Sequence, residues 1–137
     1  MKNGTDQITP SKEDYLRVLL SLASTMQHVR SVDVARAMDF SLPTVSRTMK
    51  ELNAAGYIVK LGDGTIRLTE KGLRIAQKLK DRNDLVKRFL INVLHVDKST
   101  AAVDACRIEH AISNETVDKL EQYIQDLVKR LCDEIDN

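Results

Sequence analysis

Residues 31–68 read SVDVARAMDFSLPTVSRTMKELNAAGYIVKLGDGTIRL, and the punctuation of this stretch decides the fold. Ser31 is the expected cap of a short helix over 32–38, with Val34, Ala35 and Met38 facing inward. Asp39, Phe40 and Ser41 form a brief turn. From Leu42 the apolar residues Val45, Met49 and Leu52 recur at steps of four and three, a helical period that should stop near Gly56. Two helices joined by about three residues have the spacing of a helix-turn-helix. The β-branched and aromatic run Tyr57-Ile58-Val59-Lys60-Leu61 then meets Thr65-Ile66-Arg67-Leu68 across the tip Gly62-Asp63-Gly64, which predicts a β-hairpin. A helix-turn-helix followed at once by a hairpin is a winged helix.

Outward from this stretch the pattern is helical in both directions. Upstream, Ser11 stands directly after Pro10 as the expected N-cap of a helix carrying Tyr15, Leu16, Leu19, Leu20 and Leu22. Downstream, Thr69-Glu70 opens a long helix through Ile75, Leu79, Leu85 and Phe89, extending toward Leu94. Ser99 and Ser113 begin two more, the second with Val117, Leu120, Tyr123 or Ile124, Leu127 and Leu131 as its apolar stripe. The expected class is mainly α. A winged helix-turn-helix with a two-stranded wing occupies 1–75, and an all-helical domain occupies 76–137.

Composition narrows the function. The 137 residues are too few for a large catalytic barrel, and 42% hydrophobic with 30% charged residues marks a chain that buries a core. No apolar run reaches the roughly 18 residues of a membrane span, and the start MKNGTDQ has no signal-peptide pattern, so the cytoplasm is the expected compartment. In a reducing compartment Cys106 and Cys132 are thiols or ligands rather than a disulfide scaffold. The net charge of +1 conceals a split. Residues 1–80 hold 13 Lys and Arg against 8 Asp and Glu, and residues 81–137 hold 8 against 12, so the halves carry +5 and −4. A basic winged helix joined to an acidic helical part fits a module that binds nucleic acid fused to one that does something else.

The second helix of a helix-turn-helix enters the major groove, and its early residues meet base edges and phosphates. Here the candidates are Ser41, Pro43, Thr44, Ser46, Arg47 and Lys50. Arg47 can donate two hydrogen bonds to a guanine, Thr44 can offer its methyl to a thymine, and Ser46 and Lys50 suit phosphates. Pro43 stiffens the first turn, where its missing N–H costs no helical hydrogen bond. Lys60 and Arg67 are possible wing contacts, whereas Asp63 at the tip would repel the DNA backbone.

The segment Asp104-Ala105-Cys106-Arg107-Ile108-Glu109-His110-Ala111-Ile112 carries the other chemistry. At about 100° per residue, Ala101, Ala105, Ile108 and Ile112 form the expected buried stripe, with Cys106, Glu109 and His110 on the adjacent arc. A thiolate, a carboxylate and an imidazole so spaced can converge on one divalent cation, given a further ligand from elsewhere. The same residues also suit a small buried Cys beside a surface Glu and His. No zincin motif, nucleophile elbow or phosphate loop is present, so no catalytic residues are expected and the chain does not read as an enzyme.

In this order of parts, residues 9 to about 125 resemble the metal-dependent transcriptional repressors of the diphtheria-toxin-repressor and manganese-transport-regulator family. Thr9-Pro10-Ser11-Lys12-Glu13-Asp14-Tyr15-Leu16, Leu42-Pro43-Thr44-Val45-Ser46-Arg47-Thr48 and the Asp104 to His110 segment carry the resemblance. It implies a homodimer that binds a double-stranded DNA operator, with Fe²⁺ or Mn²⁺ as corepressor and no small-molecule substrate. It places metal ligands at Asp14, Cys106, Glu109 and His110, although Ser11-x-x-Asp14 also fits a capping box in which Asp14 serves the helix N-terminus. The manganese-type binuclear pattern wants a carboxylate at Arg17, a histidine at Asn83 and a carboxylate at Cys106. The iron-type second site wants histidines at Asn83 and Ala102 and a carboxylate at Lys87. Neither set is present, which leaves one mixed site, with Fe²⁺ expected first and Mn²⁺ second. The length leaves no room for the SH3-like domain that iron-type members often add. Two other functions fit the residues alone: a regulator whose Cys106 is a reactive thiol or that senses a small ligand, and a dimeric adaptor whose winged helix binds protein.

Overall fold

A computed structural model describes residues 8–136, which divide into two compact units, 8–79 and 80–136. In the first unit the elements are α1 (Pro10–Ala23), α2 (Ser31–Met38), α3 (Leu42–Ala54), β1 (Ile58–Lys60), β2 (Ile66–Leu68) and the first part of α4 (Glu70–Arg88). This is the expected helix-turn-helix and hairpin. Its core is one cluster in which Tyr15, Leu16 and Leu19 of α1 meet Val34 and Ala35 of α2 and Val45, Met49 and Leu52 of α3, closed by Ile58, Ile66 and Ala76.

The helix boundaries correct two expected caps and one expected helix start. The N-cap of α1 is Thr9, whose Oγ1 accepts the Lys12 N–H at 3.2 Å, while Ser11 lies inside the first turn. Pro10 therefore occupies the first helical position, where its lack of an N–H is harmless. In α2, Arg30 is the cap residue and its own N–H donates to Asp33 Oδ2 at 2.9 Å, so the carboxylate three residues in marks the start rather than Ser31. The third correction falls in the second unit, where Asp97 caps the helix expected to begin at Ser99 and accepts the Ser99 N–H at 3.1 Å. At the helix ends, Asp39 turns the chain with φ 57° and Gly56 with φ 84°. The left-handed region is open to Gly without strain and tolerated by Asp, which is why these two residues end α2 and α3.

In the wing, Ile58 pairs Leu68, Val59 pairs Arg67 and Lys60 pairs Ile66 in antiparallel register. The Ile66 N–H also donates to Val29 O at 2.7 Å, which ties the wing to the segment before α2. At the tip, Gly64 takes φ 90° and Asp63 Oδ1 accepts the Thr65 N–H at 2.9 Å. That backbone hydrogen bond, helped by the Thr65 side chain and the Arg30 charge, holds the Asp63 carboxyl below its ordinary range. A depressed carboxylate stabilises the fold above its unfolded value of about 4, and the gain disappears as pH falls through the folded value. Between pH 6 and pH 3 the wild type should therefore lose more stability to urea than Asp63→Asn does. Parallel pH profiles for the two proteins would show that the tip hydrogen bond does not act on the charge.

Packing of α4 on the wing is set by Gly72. A Cβ there would lie 2.1 Å from Tyr57 O, so the helix approaches the backbone of the hairpin more closely than any side chain allows. Thr69 begins this helix as expected, since its Oγ1 accepts the Gly72 N–H at 3.2 Å and donates to Gly56 O at 2.6 Å.

The second unit contains the rest of α4, a π-helical turn over Phe89–Val93, α5 (Lys98–Ala111) and α6 (Asn114–Asp136). The long helix expected to run toward Leu94 thus changes pitch at Phe89. Ser113 caps α6 through its Oγ, which accepts the Thr116 N–H at 3.1 Å. Leu85, Val86, Ala101 and Ala105 are its buried apolar residues. On α6 the expected stripe is partly covered: Val117, Leu120, Ile124 and Leu127 are half-buried, whereas Tyr123 and Leu131 remain exposed, as do Val128 and Ile135 outside that stripe. No helix among the described residues is long and apolar enough to cross a membrane.

Candidate metal centre and nucleic-acid interface

The start of α3 exposes most of the residues expected to face nucleic acid. Val45, Met49 and Leu52 turn inward, and Pro43, Thr44, Arg47 and Lys50 are exposed while Ser46 is half-buried. Ser41 and Thr44 are partly committed to the helix itself. Ser41 Oγ accepts the Thr44 N–H at 3.4 Å and lies 2.7 Å from Thr44 Oγ1. Their hydroxyls therefore fix the first turn, and the Thr44 methyl, Arg47 and Lys50 are the groups with most reach toward DNA. The wing differs from expectation in two ways. Val59 and Arg67 share one face of the hairpin and Lys60 and Ile66 the other, because directly paired residues point the same way. Lys60 and Arg67 thus lie on opposite faces of the hairpin. Asp63 is also less repulsive than its charge implies, since Arg30 Nε donates to its carbonyl at 3.2 Å and Arg30 Nη2 sits 4.0 Å from its carboxylate.

In the second unit α5 displays Cys106, Glu109 and His110, but the buried line is rotated from the expected one. Ala101, Ala105 and Glu109 are all fully buried at 0%, whereas Ile108 and Ile112 are only half-buried. The core-facing stripe is shifted by about 40° toward the polar residues. Glu109 is therefore part of the interior and not a surface residue. Burying a carboxylate costs several kcal/mol unless a cation compensates it. His110 Nε2 lies 3.5 Å from Glu109 Oε1, and its side chain is 12% exposed. A carboxylate beside an imidazole in so dry a place is a donor pair that a divalent ion would satisfy.

Two partners from α4 complete this unit. Asn83, buried at 6%, directs its Nδ2 to Cys106 Sγ at 3.8 Å. That contact orients the sulfur. Arg82 donates through Nη1 to Glu109 O at 3.2 Å and Ile112 O at 2.8 Å and through Nη2 to Asn114 Oδ1, filling the open carbonyls at the end of α5. The sequence carried a signal for Asn83, because an amide stands on the otherwise apolar stripe of Ala76, Leu79 and Val86. Arg82 had none, since a charged residue on a helix is ordinary.

Asp14 lies in the first unit, on α1, with Arg17 Nη2 3.5 Å from its Oδ1. Because Thr9 and not Ser11 is the cap, Asp14 is the fifth helical residue and the capping-box explanation for it falls away. Within the second unit, the thiol, carboxylate and imidazole of α5 are donor types suited to a divalent transition metal.

Known proteins resemble the chain along nearly its whole length. Residues 7–65 match the family model described as the iron dependent repressor N-terminal DNA binding domain. Residues 69–135 match the iron dependent repressor metal binding and dimerisation domain. A helix-turn-helix type transcriptional regulator of Methanocaldococcus jannaschii is 31% identical over 86% of this chain and 95% of its own length. The transcriptional regulator MntR of Salmonella typhimurium is 33% identical over 82% of this chain and 71% of its own. Among solved structures, the manganese regulator SloR superposes with a TM-score of 0.76 at 29% identity over 86% of this chain. The chain spans 55% of that structure, about half its length.

Proposed function

The chain belongs to the iron-dependent repressor family of metal-dependent transcriptional regulators, and from that premise we propose how its own residues act. Asp14, Cys106, Glu109 and His110 hold one divalent ion. Ser41, Pro43, Thr44, Ser46, Arg47 and Lys50 form the operator-reading face of a homodimer, in which residues 1–75 bind DNA and residues 76–137 bind metal and dimerise. The observation that carries this reading is the Glu109 carboxylate, fully buried beside His110 on the helix that also bears Cys106. The exposed apolar residues Tyr123, Val128, Leu131 and Ile135 on α6 support self-association.

The metal supplies positive charge and fixed coordination when bound. Asp14 on α1 and the three residues on α5 then share one partner, which restrains α1 and the recognition helix that packs with it. Operator half-sites about one turn of DNA apart require a matching separation of two recognition helices in the dimer. Restraint lowers the ordering cost of DNA binding, so metal and operator favour each other reciprocally. Within the site, Asn83 orients the Cys106 sulfur and Arg82 fixes the end of α5. A donor set containing thiolate and imidazole is softer than an all-oxygen one and favours Fe²⁺ over Mn²⁺. We therefore place Fe²⁺ first and Mn²⁺ second, although the similar structure SloR is a manganese regulator.

An anaerobic DNA-binding titration against Fe²⁺, Mn²⁺, Co²⁺ and Zn²⁺, with a chelator control, tests this reading. Specific operator binding should appear with metal and vanish on chelation, and Fe²⁺ should act at lower free concentration than Mn²⁺. Equal operator affinity with and without chelator would refute the corepressor role, and the reverse metal order would refute the assignment of iron.

A further inference from the structure

One turn along α1 from Asp14 stands a permanent cation. Arg17 Nη2 lies 3.5 Å from Asp14 Oδ1, and the two side chains are only 24% and 35% exposed. A guanidinium stays charged at every physiological pH, and a half-shielded position weakens solvent screening of its field. Any divalent ion accepted by Asp14 is thus bound close to a positive charge that cannot be titrated away. We infer that Arg17 is a built-in restraint on the metal centre. Its ion pair keeps the Asp14 carboxylate in place when the metal is absent, and its charge raises the free metal concentration at which the protein responds. This inference rests on the reading of Asp14 as a ligand.

The two effects of Arg17 oppose each other, and their sizes decide the sign. Holding one aspartate side chain in position spares rotamer entropy equivalent to at most about fivefold in affinity. A unit charge and a divalent ion about 6 Å apart repel by the equivalent of roughly tenfold even at the dielectric constant of water, and by more where screening is partial. The charge wins, so Arg17 weakens metal binding on balance. It also opposes a second divalent ion beside Asp14. The centre therefore takes one ion per chain, a consequence of the local charge.

The test is the affinity of the full chain for Mn²⁺, measured by competition with a fluorescent chelator and independent of DNA. Neutral replacements with different stems, Arg17→Gln and Arg17→Met, should each bind Mn²⁺ about tenfold or more tightly than wild type, whereas Arg17→Lys keeps the charge and should stay within about threefold. Two neutral variants guard against one that fails to fold. Asp14→Asn, run alongside, should weaken binding. If it does and neither neutral Arg17 variant binds more tightly, the role of Arg17 is overturned while the ligand assignment stands. If Asp14→Asn leaves the affinity unchanged, both fall together.

Discussion

His110→Ala is expected to abolish metal-stimulated operator binding and to leave salt-sensitive, non-specific DNA binding almost intact. The imidazole is half of the buried pair with Glu109, 3.5 Å from its carboxylate, so its removal takes away one proposed ligand and a neighbour of another. Changes to groups that merely orient ligands cost about 10 to 100-fold in metal affinity, and loss of a ligand itself should cost at least about 100-fold. The α3 face with Arg47 and Lys50, proposed to meet phosphates, lies in the other unit and is untouched by the substitution. Affinity for unrelated DNA should therefore fall with salt along the wild-type slope. Gel-shift titrations with operator and random duplexes, each with metal and with chelator, measure both parts. A variant that responds to metal like the wild type would remove His110 from the centre.

Gly72→Ala should be the most damaging small change to the fold. Its added methyl would lie 2.1 Å from Tyr57 O and 3.3 Å from Leu68 Cδ2, and the first of these atoms belongs to backbone that cannot rotate away. Overpacking of this kind usually costs 1 to 3 kcal/mol, and a clash with backbone puts this site at about 3 kcal/mol or more. For a domain of this size that lowers Tm by more than about 10 °C. Loss of operator binding should accompany it, because α4 and the wing move apart together. Thermal unfolding close to that of wild type would mean that α4 packs on the hairpin less tightly than the geometry states.

Much of the fold was legible because its signals are local. The period of Val45, Met49 and Leu52 marks α3, the glycines at 62 and 64 mark the hairpin tip, and Thr69 and Ser113 mark helix starts. The errors at Ser11, Ser31 and Ser99 share one cause. Each lies one or two residues beyond the group that caps, and single-sequence patterns place a helix end only to within a turn. The outward face of α3 was legible for the same reason as α3 itself, since inward residues at helical spacing leave the others outside. Cys106, Glu109 and His110 were legible as residue types on one arc of α5 but their burial was not, because the rotation of α5 depends on what packs against it.

The sequence by itself determined the order of elements, the helix-turn-helix and wing, and the presence of thiol, carboxylate and imidazole within five residues of α5. Those features depend on periodicity and on the conformational preferences of single residues. The tertiary structure decided that Glu109 is interior, that Asn83 serves the Cys106 sulfur 23 residues away, that Arg82 closes α5 from 30 residues away, and that Arg30 answers the charge of Asp63 across 33. Burial and long-range hydrogen bonds arise only when distant segments exclude water together, and no local pattern encodes which segments will meet.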